Sequence, residues 1–237
     1  DRLMDEASPQ AIAAAAKRYG ADSVAYTYND PVIFAEYAID TALACREQGI
    51  RNVAVTAGYI HREPAKEFFA VMDAANVDLK AFTDEFYHKL CVGHLQPVLD
   101  ILAYIHHETD CWLEITTLLI PGHNDSDAEI TALTQWVARE LGPDVPLHFS
   151  RYYPTFMLKN IPPTPPETLL ASRKIAMDNG IKFVYVGNIL SEEVESGAPK
   201  GFQSLLGHSQ DQALFIGLVM MEEGPARGLD HADAHLG

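Results

Sequence analysis

Several apolar segments of the chain end in polar residues. These residues are of types that bind charged ligands. They are Asn29, Asp30, Thr56, Asp78, Lys80, Thr116, Thr117 and the segment 150–153. Lys80 is the most informative, because a lysine at the end of a buried strand either forms a Schiff base with a carbonyl substrate or pairs with a ligand anion. The spacing also fits a solvated lysine that is paired with Asp78 or Asp84. The residues by themselves leave these alternatives open.

Other reactive residue types have simpler explanations. Asp30 followed by Pro31 is typical of a helix N-cap and first helical position. His148 is explained by a hydrogen-bonded histidine in the core or at its rim. The tract His231–His235 resembles a metal-binding sequence, but such short tracts are weak signals. None of the cysteines has a metal-site spacing.

The elements that must position these residues alternate along the chain. Strands of roughly five residues are predicted between helices of roughly a dozen. The predicted strands are 22–28, 52–56, 76–80, 112–120, 147–150 and 182–186. This order predicts six parallel strands in sequence order with right-handed crossovers, in an open doubly wound sheet or a partial (β/α) barrel. In either fold, ligands bind at the carboxyl ends of the strands.

The alternation of strands and helices stops near the C-terminal end. We assign residues 1–190 to one α/β domain and 191–237 to a tail of uncertain structure, for which two expectations stay open: that it carries one more strand or helix, or that it is largely disordered. The tail includes the longest apolar run, the nine residues from Ala213 to Met221.

Composition limits the classes of function. The 237 residues are 48% hydrophobic and carry a formal charge of −16, which argues against a nucleic-acid groove. No apolar run approaches the roughly 20 residues that span a bilayer. The three cysteines, Cys45, Cys91 and Cys111, are odd in number and widely spaced. With no recognisable signal peptide, they predict a cytoplasmic protein without a disulfide framework.

Six short motifs in order resemble those of the radical S-adenosylmethionine (radical SAM) enzymes. They are Y-T-Y-N-D-P at 26–31, V-T-A-G-Y at 55–59, A-N-V-D-L-K-A-F at 75–82, T-T-L-L-I-P-G-H-N-D-S at 116–126, H-F-S-R-Y-Y-P at 148–154 and V-Y-V-G-N at 184–188. More narrowly, they resemble the AmmeMemoRadiSam-system branch, which is related to pyruvate formate-lyase activating enzymes. The similarity covers about residues 5–190.

The resemblance implies a partial (β/α) TIM-type barrel that binds S-adenosylmethionine beside a [4Fe–4S] cluster. The cofactor would be cleaved reductively to a 5′-deoxyadenosyl radical that abstracts a substrate hydrogen. The matching positions imply a cofactor-binding set of Asn29, Asp30, Thr56, Asp78, Lys80 and Tyr153. Two of these depart from the family pattern: Asp30 stands where Glu is usual, and Tyr153 where a histidine is common. Val55 also replaces an acid that often precedes Thr56.

The family's cluster motif, C-x-x-x-C-x-x-C, is missing from this sequence. We expect it upstream of Asp1, in a first βα unit that this chain lacks. The chain alone is therefore expected to be inactive, and the strand near Val24–Tyr28 to have an unpaired edge. The resemblance also implies an electron donor such as flavodoxin or ferredoxin, and a substrate that can be a protein.

Two alternatives come from other classes of function. The first is a Schiff-base lyase or aldolase that uses Lys80 on the same barrel. The second is a pseudo-enzyme that acts only as a binding partner.

Overall fold

The first six strands of the structure are those that the sequence predicts. The computed structural model describes residues 7–188 and 213–216. The first six strands are β1 (Ser23–Tyr26), β2 (Arg51–Thr56), β3 (Ala74–Asp78), β4 (Trp112–Leu119), β5 (Leu147–Arg151) and β6 (Val184–Gly187). β1 ends before the predicted residue 28, because Tyr28 has a positive φ of 71° that a strand cannot continue. β3 is shifted two residues toward the N-terminus, so Lys80 follows the strand and does not lie within it.

One helix precedes β1, and the helices after it lie in the connections between successive strands. They are α1 (Pro9–Tyr19), α2 (Ala35–Glu47), α3 (Arg62–Ala70), α4 (Asp84–Phe86), α5 (Leu95–Glu108), α6 (Asp127–Trp136) and α7 (Pro166–Asp178). Short 3-10 helices cover Pro31–Phe34 and Phe156–Leu158, and π-helical turns cover Tyr87–Cys91 and Val137–Leu141. Among these residues, no helix is both long and apolar enough to cross a membrane.

The strand order decides between the two predicted architectures. The sheet runs β6-β5-β4-β3-β2-β1, and all neighbours are parallel. A doubly wound sheet reverses its strand order at a switch point, whereas this order is strictly sequential. Right-handed crossovers in one direction place the connecting helices on one face of the sheet. The fold is therefore the predicted partial (β/α) barrel.

The expected unpaired edge of the first strand is wrong. A seventh strand, β7 (Ala213–Ile216), lies beside β1 and runs parallel to it, with Ser23 opposite Ala213 and Tyr26 opposite Ile216. β7 comes from the start of the apolar run in the tail. The backbone groups at the edge of β1 are thus paired by a segment distant in sequence.

The two faces of the sheet differ in composition. Residues of one parity pack under the helices into the core, for example Ala54, Val77, Ile115 and Phe149. On β2 to β6, residues of the other parity stay half-buried or exposed, and we call this side the open face. Its side chains on β3 to β6 are Asn76, Asp78, Trp112, Glu114, Thr116, Leu118, His148, Ser150 and Tyr185.

We call the end of the sheet formed by segments 27–31, 57–61, 79–83, 120–126 and 152–155 the carboxyl edge. The opposite end, formed by segments 20–22, 48–50, 71–73, 109–111, 142–146 and 179–183, is the amino edge.

Candidate functional site

Asp30 connects the ends of β1 and β2. Its Oδ1 accepts hydrogen bonds from Thr56 Oγ1 at 2.6 Å and from the N–H of Val32 at 3.2 Å, while Oδ2 accepts from the N–H of Ala57 at 2.9 Å. The bond to Val32 is the helix cap that Asp30-Pro31 predicts. The carboxylate is thus held by three donors from its own chain. Asn29 lies half-buried in the same turn, next to the exposed Tyr28.

Thr56 faces the helices and not the open face. Along β2 it lies on the same buried face as Asn52 and Ala54, and only 2% of the residue is exposed. Its Oγ1 donates to Asp30 and accepts from the N–H of Gly58 at 3.1 Å. This side chain is therefore buried and does not line the open face. Thr56 instead fixes the loop after β2.

Asp78 and Lys80 form an ion pair at the carboxyl edge. Lys80 Nζ lies 2.9 Å from Asp78 Oδ2, and the two side chains are 39% and 37% exposed. Asp78 is the last residue of β3 and faces the open side, opposite Thr116 of β4. A carboxylate and an ammonium therefore lie side by side, within reach of a ligand.

The backbone beside this ion pair is held by side chains from three other segments. Tyr87 Oη accepts from the N–H of Lys80 at 3.1 Å, and Thr117 Oγ1 donates to the carbonyl of Leu79 at 2.8 Å. Asn124 donates to the carbonyls of Lys80 and Leu118, at 2.7 and 2.8 Å, and accepts from the N–H of Ile120. These bonds fix the main chain that carries the Lys80 side chain.

Glu129 extends this support in a way that differs from the sequence pattern. S-D-A-E at 126–129 predicts a capping box, and Ser126 does cap α6 by accepting from the N–H of Glu129 at 3.3 Å. The carboxylate of Glu129, however, accepts from the N–H of Phe82 at 2.7 Å. Burial raises the pKa of this carboxyl, and the Phe82 N–H partly opposes that shift.

Tyr153 lies at the other flank of the carboxyl edge. Its Oη donates to the carbonyl of Asn188 at 3.0 Å, and Arg151 lies over its ring at 5.0 Å from the centroid. The Asn188 side chain in turn donates to Ser150 Oγ at 3.0 Å. Tyr153 thus connects the ends of β5 and β6, on the far side of β4 from the Asp78–Lys80 pair.

The six residues that the resemblance implies therefore form three groups along one edge. Asp30 and Thr56 bind each other, with Asn29 beside them. Asp78 and Lys80 are paired on β3, and Tyr153 lies beyond β5. Parallel strands bring all three groups to one end of the sheet. Their roles toward a cofactor stay a prediction.

Sequence reasoning missed a polar array on the open face. His148 Nε2 lies 2.7 Å from Glu114 Oε2, and the His148 ring stacks on Tyr185 with centroids 5.0 Å apart and planes at 23°. Trp112 Nε1 donates to Glu114 Oε1 at 3.1 Å. Period-two alternation was the available signal, because these residues share one face of β4, β5 and β6.

The three cysteines do not form a cluster site. Cys45 and Cys111 are buried and Cys91 is half-buried. Burial raises the pKa of all three thiols, that of Cys111 to about 12, which disfavours the thiolates that bind iron. The described part of the chain contains no group of three or more His, Cys, Asp or Glu side chains able to hold a metal ion.

A cavity of about 810 Å³ lies against α3 and α5 and reaches the carboxyl edge at segment 57–61. Its lining includes Tyr59, Arg62, Pro97 and Tyr104, and Arg62 lies 4.9 Å over the Tyr104 ring. Arg62 is also paired with Glu108. None of the six implied residues lines this cavity.

The fold and the polar carboxyl edge define a class, the partial (β/α) barrels that bind ligands at their strand ends. A family model described as the radical SAM superfamily matches residues 1–134, more than half of the chain. The chain therefore belongs to the radical SAM superfamily. An uncharacterized protein of Methanocaldococcus jannaschii is 39% identical over 191 residues, which are 81% of this chain and 56% of that relative. The chain thus spans little more than half the length of the curated relative that it matches.

Solved structures show the same fold. A domain of pyruvate-formate lyase-activating enzyme from Bacteroides vulgatus has a TM-score of 0.61 at 19% identity, over 69% of this chain and 98% of that one. A radical SAM methyltransferase from Sphaerobacter thermophilus has a TM-score of 0.59 at 19% identity, over 74% and 54%. Streptococcus suis SuiB bound to S-adenosylmethionine has a TM-score of 0.59 at 12% identity, over 82% and 46%.

Proposed function

We propose that this chain is the S-adenosylmethionine-binding part of a radical SAM enzyme that resembles glycyl-radical activating enzymes of the AmmeMemoRadiSam branch. The observation that carries the proposal is the half-exposed Asp78–Lys80 ion pair on a backbone fixed from three sides. The superfamily implies S-adenosylmethionine and a [4Fe–4S] cluster. SuiB is a structural neighbour whose structure was solved with S-adenosylmethionine bound.

The residues at the carboxyl edge fit the amino-acid end of S-adenosylmethionine. That end carries an ammonium and a carboxylate, which are complementary to Asp78 and Lys80 respectively. We propose that Lys80 and Asp78 bind it, that Asn29 lines the same edge, and that Tyr153 lies along the nucleoside end. Asp30 and Thr56 act by holding the loops after β1 and β2. When bound, the cofactor supplies a 5′-deoxyadenosyl radical for hydrogen abstraction from the substrate.

The cluster does not fit the residues of this chain, because its three thiols are buried or half-buried, widely separated and shifted toward the protonated form. We therefore propose that the cluster ligands come from outside this sequence and that the chain alone is inactive. An electron donor such as flavodoxin or ferredoxin, a substrate that can be a protein, and a cytoplasmic location belong to the same proposal.

The Schiff-base alternative has less support from the geometry. A Schiff-base lysine lies in a desolvated pocket or beside another cation. Lys80 instead lies 2.9 Å from a carboxylate and is 39% exposed. An ion-pairing role toward a charged ligand explains this environment more directly.

Binding of S-adenosylmethionine by the purified chain tests the proposal, measured by calorimetry or equilibrium dialysis. Lys80→Ala is expected to weaken binding by roughly 10- to 100-fold, because a charge-assisted hydrogen bond contributes about 1.5–3 kcal/mol. Asp78→Asn is expected to act in the same direction, since it leaves the ligand ammonium without a charged partner.

Lys182→Ala is the matched control. Lys182 pairs with Asp144 at 2.8 Å, but this ion pair lies at the amino edge, before β5 and β6. Its removal is expected to leave the affinity unchanged. The proposal is wrong if folded Lys80→Ala binds as tightly as the unaltered chain, or if both lysine variants lose affinity equally.

A further inference from the structure

The Glu114–His148–Tyr185 array is a built polar site that the residues proposed for the cofactor do not use. The three residues come from neighbouring strands β4, β5 and β6, and their side chains rise from the open face. His148 is held from two sides, by the Glu114 carboxylate at 2.7 Å and by the stacked ring of Tyr185 at 5.0 Å. A strand position fixes the base of each side chain, so the array is preorganised.

The hydrogen bond to Glu114 determines which imidazole nitrogen faces a ligand. The bond from His148 lowers the pKa of Glu114, so this carboxyl is ionised at neutral pH and can only accept. The proton of a neutral His148 ring must therefore lie on Nε2. Nδ1 then carries a lone pair, and within residues 7–188 the structure assigns it no hydrogen-bond partner. A ligand that donates a hydrogen bond matches this atom.

The register places the array near the proposed cofactor site. Asp78, Thr116, His148 and Tyr185 lie in one row across β3 to β6. Neighbouring strands are about 4.8 Å apart, so His148 lies roughly 10 Å from Asp78 along the row. A small molecule bound at His148 would thus contact a cofactor that is held by Asp78 and Lys80.

The surroundings of the array indicate what kind of molecule binds. Trp112 and Leu118 lie on the same face of β4, on either side of Glu114, and are 56% and 40% exposed. The Glu114 carboxylate disfavours an anionic ligand. The array therefore combines one hydrogen-bond acceptor with flat apolar contacts.

We propose that Glu114, His148 and Tyr185 form a substrate subsite for a small hydroxyl-bearing molecule with a flat apolar body. His148 Nδ1 accepts the hydrogen bond of the hydroxyl, and Tyr185 and Trp112 contact the apolar part. Glu114 is a positioning residue, because it acts by holding the imidazole. This inference rests on the proposed function in one respect only, namely that the bound molecule is a substrate.

Phenol and anisole are the probes, since anisole has a methyl group in place of the hydroxyl proton of phenol. Titrations of the isotope-labelled chain are followed by NMR without S-adenosylmethionine. Phenol is expected to shift the His148 and Tyr185 ring signals and to bind about 5-fold more tightly than anisole, as one neutral hydrogen bond allows. Long-range 1H–15N spectra are expected to show the His148 proton on Nε2.

Two variants separate positioning from packing. Glu114→Gln, whose amide can donate to the ring or accept from it, is expected to mix the two His148 tautomers and to reduce the phenol preference toward 1-fold. His148→Phe keeps a ring beside Tyr185 and is expected to abolish the preference while anisole binding is retained. Affinity for S-adenosylmethionine is expected to be unchanged in both, which separates this inference from the proposed function.

Equal binding of phenol and anisole by the unaltered chain would overturn the subsite, as would a phenol preference that survives both variants. Probe-induced shifts confined to other residues would do the same. If neither variant folds, the tautomer and the phenol preference of the unaltered chain decide.

Discussion

The two ends of the sheet are built in different ways. At the amino edge, short turns lead from helix to strand, and main-chain hydrogen bonds join them, such as Arg51 N–H to the Asp22 carbonyl at 3.1 Å and Lys182 N–H to the Pro143 carbonyl at 2.9 Å. At the carboxyl edge, side chains make more of these bonds than at the amino edge, where Asp73 accepts from the Asn52 N–H at 2.7 Å and Lys17 donates to the Gln48 carbonyl at 3.1 Å. Asp30, Asn124 and Glu129 bind backbone groups of other segments.

This difference matters for function. A turn held by its own backbone tolerates most side chains, whereas a loop held by a distant side chain depends on that residue. The carboxyl edge thus has a fixed conformation that depends on a few buried polar residues. Rigid support of this kind is what a binding site needs, because the ligand does not have to order the loops.

Removing the main support of the Lys80 loop should have the largest effect on stability. Asn124 is 1% exposed and makes three hydrogen bonds to backbone atoms. Asn124→Ala leaves these groups without a partner and is expected to lower the free energy of unfolding by about 3 kcal/mol. Urea denaturation measures the change, with the exposed Asn160→Ala as the control. A loss below about 1 kcal/mol would show that the carboxyl edge does not depend on this side chain.

A pair of glycine substitutions compares the two ends directly. Gly58 and Gly49 both have positive φ, 65° and 74°, but a Cβ at Gly58 would lie 2.8 Å from Val77 Cγ1, whereas at Gly49 nothing lies within 4 Å. Gly49→Ala should therefore cost about 1 kcal/mol from backbone strain alone. Gly58→Ala should cost about 1–3 kcal/mol more, because the core beneath it must shift. Equal losses in thermal or urea unfolding would mean that the loop after β2 is as loosely packed as the amino-edge turn.

The sequence predicted the fold because its signals were local. Strand–helix alternation predicted all six strands in order, and the structure confirms them. Strand bounds shifted by one or two residues, as at the end of β1, where the positive φ of Tyr28 does not continue the strand. The pairing of β7 with β1 could not be predicted, because no local pattern specifies which edge of the sheet a distant apolar segment joins.

The sequence predicted where along the sheet the candidate site residues lie, but not which of them contact one another. The motifs placed Asp78 and Lys80 at the carboxyl edge, and their ion pair is one of the two pairings that the spacing allowed. Asp30 and Thr56 turned out to bind each other, because the parity of β2 directs Thr56 toward the helices. The alternation of side chains along β4, β5 and β6 also places Glu114, His148 and Tyr185 on one face. These residues are distant in sequence, and only the strand register shows that they lie together.

We expect S-adenosylmethionine to bind at segments 27–31 and 79–83 of the carboxyl edge, and not at the amino edge or in the cavity against α3 and α5, which residues 59–61 help to line. Backbone 1H–15N NMR spectra of the chain, recorded during a titration with S-adenosylmethionine, test this most directly. The shifted amides are expected to cluster in segments 27–31 and 79–83, while 48–50 and 142–146 stay unchanged. Shifts concentrated at the amino edge, or around Arg62 and Tyr104, would contradict it.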